Sequence, residues 1–268
     1  MAPEHPFVSV IIPAYNSAEF LPGAIASVRS QGHQPLEIVV VDDGSTDGTG
    51  GVICSLRGDG GDDLRYLRQD NRGPGGARNA GLAVARGEVI AFLDADDLWP
   101  AGTLDCQIAT LIRNPETDIV LGRTQAMVLA SGDSADDQGP RFEPFAEPWY
   151  STQLGSALYR RSVFDRVGVF DSTLKLSEDL DWFMRARERG VGIAFIADVT
   201  LLYRFHYTNL TRGTDANTRN LLLVLKRSLD RRRGGSGDYP LASISPWHRE
   251  AVDQGWDSGT SSAGAVDS

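Results

Sequence analysis

Val89-Ile90-Ala91-Phe92-Leu93-Asp94-Ala95-Asp96-Asp97 sets five apolar residues directly before three carboxylates in four positions. A short, unbroken apolar run with a polar stop is the pattern of a strand covered on both faces, as in a parallel sheet. Upstream, Pro74 to Ala85 reads as a helix with proline in its first turn, and Leu64 to Leu67 as a weaker strand. Leu36 to Val41 is a second continuous apolar run, stopped at Asp42-Asp43-Gly44-Ser45. Phe7 to Ile12 is a third, stopped by Pro13, and Ser17 to Arg29 then carries Phe20, Leu21, Ile25 and Val28 at helical spacing. This alternation predicts an α/β fold, Rossmann-like, with a mostly parallel central sheet flanked by helices. Ligands of such sheets sit at the C-terminal strand ends, and each acidic cluster so far falls there.

Downstream the pattern loosens. A helix is expected at Thr103 to Arg113 and a strand at Ile119 to Leu129, followed by an Asp-, Gly- and Pro-rich stretch, Ser131 to Pro148, read as a loop or lid. Helices follow at Arg161 to Val167 and Glu178 to Arg189, strands at Gly192 to Ile196 and Leu201 to Phe205, and a leucine-rich helix at Ala216 to Arg231. Beyond about residue 234 the chain is rich in Gly, Ser and Asp and reads as a mobile tail or one lying over the body.

With 268 residues and 41% apolar content, the chain can bury a substantial core. A net charge of −10 argues against nucleic-acid binding, which needs a basic surface. The two cysteines, Cys54 and Cys106, make neither a disulfide framework nor a zinc spacing, as suits a reducing cytosol. Neither a basic, apolar leader nor a run of membrane-spanning length is visible, so a cytoplasmic protein is expected.

The chemistry rests on carboxylates. Asp94, Asp96 and Asp97 suit a hard cation such as Mg²⁺ or Mn²⁺, held by one or two carboxylates and the oxygens of a substrate phosphate. The plain alternative is a solvated acidic turn or a helix cap. Asp42-Asp43-Gly44-Ser45-Thr46-Asp47 puts a short carboxylate where it can accept hydrogen bonds from a base or ribose, or else forms a tight turn with Ser45 or Asp47 as a cap. A phosphoacceptor receiver also carries acids at strand ends, but leaves the second half of the chain without a role. Gly73-Pro74-Gly75-Gly76-Ala77-Arg78 is a glycine-rich helix start whose N–H groups can face an anion, with Arg78 reaching a phosphate or an acidic neighbour. Ser177-Glu178-Asp179-Leu180-Asp181-Trp182 offers a general base, or simply Ser177 as N-cap with acids at the positive helix end. In Tyr203-Arg204-Phe205-His206, Arg204 and His206 share one strand face.

In this order, Val8 to Asn16, Val41 to Asp47, Ala77 to Gly81, Phe92 to Asp97 and Ser177 to Asp179 resemble the inverting glycosyltransferases of family 2, which have the GT-A fold. The resemblance covers about residues 7 to 212. It implies a nucleotide-sugar-binding half at 1–115, an acceptor-binding half at 116–212, a C-terminal helix at 213–233 and a tail at 234–268. Pro13, Ala14 and Tyr15 would line the nucleoside pocket, Asp43 would bond the base, and Asp94 and Ala95 would hold the ribose region, with Arg78 beside the nucleotide. Asp96 would be the principal metal ligand, with Asp97 a weaker candidate, and His206 would reach the metal or diphosphate. Asp179 would be the base, with Asp181 second choice.

The resemblance further implies Mn²⁺ or Mg²⁺ as cofactor and a nucleotide-sugar donor, UDP-sugar favoured. The acceptor would be a hydroxyl on a glycan, a lipid-linked sugar or a small molecule. Arg227 with Arg231-Arg232-Arg233 either stabilises a helix C-terminus or touches anionic lipid at the inner membrane face. A sugar nucleotidylyltransferase is the nearest alternative, yet Pro13-Ala14-Tyr15-Asn16-Ser17 lacks the basic phosphate loop it needs. A non-catalytic nucleotide- or glycan-binding module is the other.

Overall fold

The structure is a computed structural model that describes residues 5–57, 63–130, 141–174, 176–206 and 214–234, with side chains from 220 to 233 in the last segment. Three apolar runs form the strands β1 (Val8–Ala14), β2 (Leu36–Asp42) and β4 (Val89–Phe92), and Leu64–Arg68 forms β3. Order β3-β2-β1-β4 is parallel throughout. Between them run α1 (Leu21–Arg29), α2 (Thr49–Leu56) and α3 (Gly73–Val84).

Side chains alternate along β1, so Val8, Val10 and Ile12 enter one core with Leu21, Ile25 and Val28. That core is shared by Leu104, Ile108 and Leu111 of α4 (Thr103–Arg113). Ile11 faces the opposite core with Val39, Val41, Ala77 and Leu82. Burial on both faces is why the strands read as unbroken apolar runs. Gly81 lets α3 lie directly on β1, since a Cβ there would stand 2.4 Å from Ile11 Cγ2.

The sheet continues as β4-β7-β5-β6, with β7 at Ala157–Arg160, β5 at Ile119–Leu129 and β6 at Phe142–Tyr150. Antiparallel pairing enters only with β7 and β6. β8 (Ile193–Phe205) returns parallel to β5. The two late strands expected from sequence are thus one, with register shifts opposite Leu121 to Thr124 marking the break in its pattern. α5 (Ser162–Val167), α6 (Glu178–Glu188) and α7 (Thr214–Gly234) complete the chain, and Trp182 and Phe183 of α6 are buried against Tyr159.

The expected loop over Ser131 to Pro148 needs correction. Residues 142–148 belong to β6, an edge strand, where Pro144 and Pro148 are tolerated because one side of the strand needs no ladder partner. Residues 131–140, and the tail from 235, lie outside the described residues. No helix among the described residues is long and apolar enough to cross a membrane.

Candidate active site

The chain leaves β1 for β2 and β3 on one side and returns to β4 on the other, so a crevice opens where β1, β2 and β4 end. At the β1 end Ala14 is buried, Pro13 is half-buried and Tyr15 is exposed. Ala14 accepts the Asp43 N–H at 2.8 Å, which joins the ends of β1 and β2.

The adjacent acids at the end of β2 divide the work. Asp42 is fully buried and closes the turn: Oδ1 accepts the Ser45 N–H at 2.7 Å and Oδ2 the Tyr66 hydroxyl at 2.9 Å. Burial pushes its carboxyl up, but the Ser45 and Tyr66 hydrogen bonds and the Arg68 charge outweigh that and hold it below the ordinary range. Asp43 points the other way, its Oδ1 accepting from Gln69 Nε2 at 2.7 Å and the Arg72 N–H at 2.9 Å. Gly44, at φ +80, turns the chain between these uses. Asp47 accepts the N–H groups of Ala18 and Thr49 and so fastens the start of α2. Asp43 thus accepts from the N-cap residue of α3.

At the end of β4 the Asp97 N–H bonds back to the Asp94 carbonyl at 3.0 Å, making a tight turn. Asp94 and Asp96 are partly exposed, while Asp97 is buried. Leu98 and Leu202 exchange both backbone hydrogen bonds, at 3.2 and 2.9 Å, and Asp97 Oδ1 then takes the Arg204 N–H at 3.0 Å. The Asp97 carboxylate thus supplies the next rung of a short antiparallel ladder that ties β8 to the acidic turn. Its carboxyl is pushed well up by burial and by the Asp96 and Asp94 charges.

That ladder delivers His206, whose Nε2 lies 3.0 Å from Asp96 Oδ2. The His206 ring stacks on Phe20 with centroids 4.4 Å apart. Arg204 lies between the rings of Phe20 and Phe142, at 5.0 and 5.4 Å, with its Nε on the Asp96 carbonyl. The aromatic supports Phe20 and Phe142 gave no sequence signal, because one reads as helix core and the other sits in an apparent loop.

Arg78 is buried under the crevice. Its guanidinium donates to Asp94 Oδ1 at 2.6 Å and to Glu178 Oε1. Burial alone would weaken its charge, but Asp94 and Glu178 more than offset this. Arg78 thus meets the acidic neighbours Asp94 and Glu178. Glu178, a position that looked like dipole decoration, is the second half of that clamp.

Asp179 follows at the first turn of α6. Ser177 before it holds the N-cap position, as expected, but at φ +65 and with no side-chain cap bond, so the backbone is strained where the acid is presented. Asp179 is half-buried and close enough to Arg78 and Asp94 to feel their charges. Burial first, then the Glu178 charge, push its carboxyl from 3.8 up to about 7, against the pull of Arg78. Asp181 faces away, paired with Arg185 at 2.8 Å and Arg231 at 3.1 Å.

Among the described residues no group of three or more His, Cys, Asp or Glu side chains could hold a metal unaided. Asp96 and His206 supply one carboxylate oxygen and one imidazole nitrogen. Such a pair fits a Mn²⁺- or Mg²⁺-like ion whose remaining positions are filled by substrate phosphate and water.

An open, mostly parallel sheet with an acidic turn after β4, extended by antiparallel strands and by a helix that carries a later acid, defines a protein of the GT-A fold. The sequence profile described as Glycosyl transferase family 2 matches residues 9–208, and the chain belongs to that family. It is 39% identical over 177 residues to an uncharacterized glycosyltransferase of Nostoc sp., covering 61% of this chain and 54% of that protein. It is 30% identical over 239 residues to the succinoglycan biosynthesis protein ExoU of Rhizobium meliloti, covering 82% of this chain and 66% of that one. The chain thus spans about half to two thirds of these relatives' length. Among solved structures, S. aureus TarS 1-349 in complex with UDP-GlcNAc superposes with a TM-score of 0.67 at 23% identity, covering 88% of this chain and 68% of that one. The mannosyltransferase PcManGT from Pyrobaculum calidifontis, in complex with GDP-Man and Mn²⁺, gives 0.63 at 23%, covering 88% and 66%.

Proposed function

We propose that the protein is a metal-dependent inverting glycosyltransferase that moves a sugar from a nucleoside diphosphate, with UDP favoured, to an acceptor hydroxyl in glycan or glycoconjugate biosynthesis. The observation that carries this reading is the Arg78 clamp: one guanidinium holds both Asp94 at the β4 end and Glu178, the neighbour of Asp179. In this reading the clamp would keep the donor-side acid and the candidate base side by side.

In this reading Pro13, Ala14 and Tyr15 border the nucleoside, and Asp43, held on Oδ1 by Gln69 and Arg72, offers its other oxygen to the base. Asp94 and Ala95 face the ribose. Asp96 and His206 hold the cation, which when bound neutralises charge on the diphosphate. Asp179 takes the proton from the acceptor hydroxyl as that oxygen attacks the anomeric carbon, opposite the departing diphosphate. The product has inverted configuration. A carboxylate lifted to about 7 is a stronger base than an ordinary Asp and is still ionised in half the molecules at neutral pH. The acceptor hydroxyl belongs to a glycan, a lipid-linked sugar or a small molecule.

The test is thermal unfolding against a panel of nucleoside diphosphate sugars with and without Mn²⁺. A ligand that binds only the folded state raises the midpoint. At least one uridine donor should do so, more strongly with Mn²⁺. No protection by any nucleotide contradicts the proposal.

A further inference from the structure

α7 turns two different faces to its surroundings. Val224 and Ser228 are buried, and Arg227 and Arg231 reach inward, to Asp171 at 2.6 Å and to Glu188 at 2.6 Å and Asp181 at 3.1 Å. At about 100° per residue, Leu222, Leu225 and Leu229 share the opposite arc with Lys226 and Arg233, and Leu221 and Arg232 lie at its edge, next to Ser228. The leucines are exposed, Leu222 by 61%. Lys226 and Arg233 are exposed as well, and Arg232 is half-buried. Arg187 of α6 lies close enough to Arg232 to feel its charge.

Of the four arginines Arg227, Arg231, Arg232 and Arg233, the first two are thus committed to the body, and the last two join Lys226 beside the leucines. Four leucines on one exposed arc of a charged helix do not serve solubility. In a chain of net charge −10, the cations on that arc run against the overall sign. Leucines bordered by Lys and Arg complement one surface chemistry, an apolar interior beneath an anionic layer. A second copy seated across a two-fold axis through the leucines would set Lys226 against Lys226.

We infer that the outer face of α7, formed by Leu221, Leu222, Leu225 and Leu229 with Lys226, Arg232 and Arg233, docks on an anionic lipid surface. The inference does not rest on the transfer reaction, because neither the crevice nor Asp179 contributes to this face.

The experiment is sedimentation of the full chain with vesicles of phosphatidylcholine alone, or of phosphatidylcholine containing phosphatidylglycerol. Two variants run beside it, Leu222→Glu/Leu225→Glu and Lys226→Glu/Arg232→Glu/Arg233→Glu. Their thermal midpoints and nucleotide protection are checked first, since four of the five positions are exposed and Arg232 is half-buried. The protein should pellet with the anionic vesicles, less so in high salt, and not with neutral ones. Each variant should lower the partition coefficient by about tenfold or more. Wild-type protein left in the supernatant with anionic vesicles overturns the inference, as does binding that neither variant weakens. So does a dimer in sedimentation velocity that the leucine variant dissolves while vesicle binding is absent.

Discussion

His206 Nε2 lies 3.0 Å from Asp96 Oδ2, across 110 residues of chain. The pair meets because β8 is tied to the acidic turn rung by rung, through Leu98, Leu202 and the Asp97 carboxylate. If these two side chains hold the cation, Asp96→Asn and His206→Ala should each remove most of the Mn²⁺ enhancement of UDP binding. Calorimetric titration of UDP with and without Mn²⁺ should show the enhancement reduced about tenfold or more. An undiminished enhancement in both variants would move the metal elsewhere.

The Asp97 carboxylate serves β8 as a backbone carbonyl would. Asp97→Ala leaves the buried Arg204 N–H without its partner, at a cost of about 1–3 kcal/mol. Asp97→Asn keeps an acceptor oxygen in place. Denaturant unfolding should therefore show a clear loss for alanine and a much smaller one for asparagine, with the Mn²⁺ enhancement weakened in parallel. Equal losses would show that the rung is incidental.

Asp179 acts as base only when ionised. With its carboxyl at about 7, kcat/KM should fall nearly tenfold per pH unit below that point and level off above it. The Glu178 charge helps to hold it up, so Glu178→Gln should shift the limb to lower pH. A limb that stays in place would assign the shift to burial alone.

Stability follows from the same proton. A folded-state value raised from 3.8 to about 7 means that the folded form holds the proton more tightly. The stabilisation is complete below about 4 and lost as pH rises through about 7. Asp179→Asn, which never ionises, should therefore unfold at a higher temperature than wild type at pH 8. The gap should close toward pH 4. An equal or lower midpoint at pH 8 would contradict the raised value.

At Gly81 a Cβ would enter Ile11 Cγ2 at 2.4 Å. Gly81→Ala should cost about 1–3 kcal/mol despite alanine's better helix propensity. Gly51, whose Cβ would meet nothing within 4 Å, is the control and should tolerate alanine.

The first half of the fold was legible because its strands are buried on both faces and end at acids. Leu36 to Val41 and Val89 to Leu93 announce themselves as unbroken apolar runs, and β1, β2 and β4 begin and end within two residues of expectation. β6 was not legible, because an exposed edge strand carrying Pro144 and Pro148 has loop composition. Motif order singled out Arg78, Asp94 and Asp179, which lie within reach of one another's charge, and Asp96 and His206, which pair directly. It could not separate Asp179 from Asp181, two positions apart on one helix. Packing distinguishes their surroundings, since Asp181 turns under α7 to Arg231 while Asp179 lies near Arg78 and Asp94.

The most direct measurement is transfer by Asp179→Asn, with donor affinity determined on the same preparation. The account predicts a fall in turnover of about 10²-fold to 10⁴-fold with donor affinity nearly unchanged. Turnover within tenfold of wild type would contradict it and take the role of base away from Asp179.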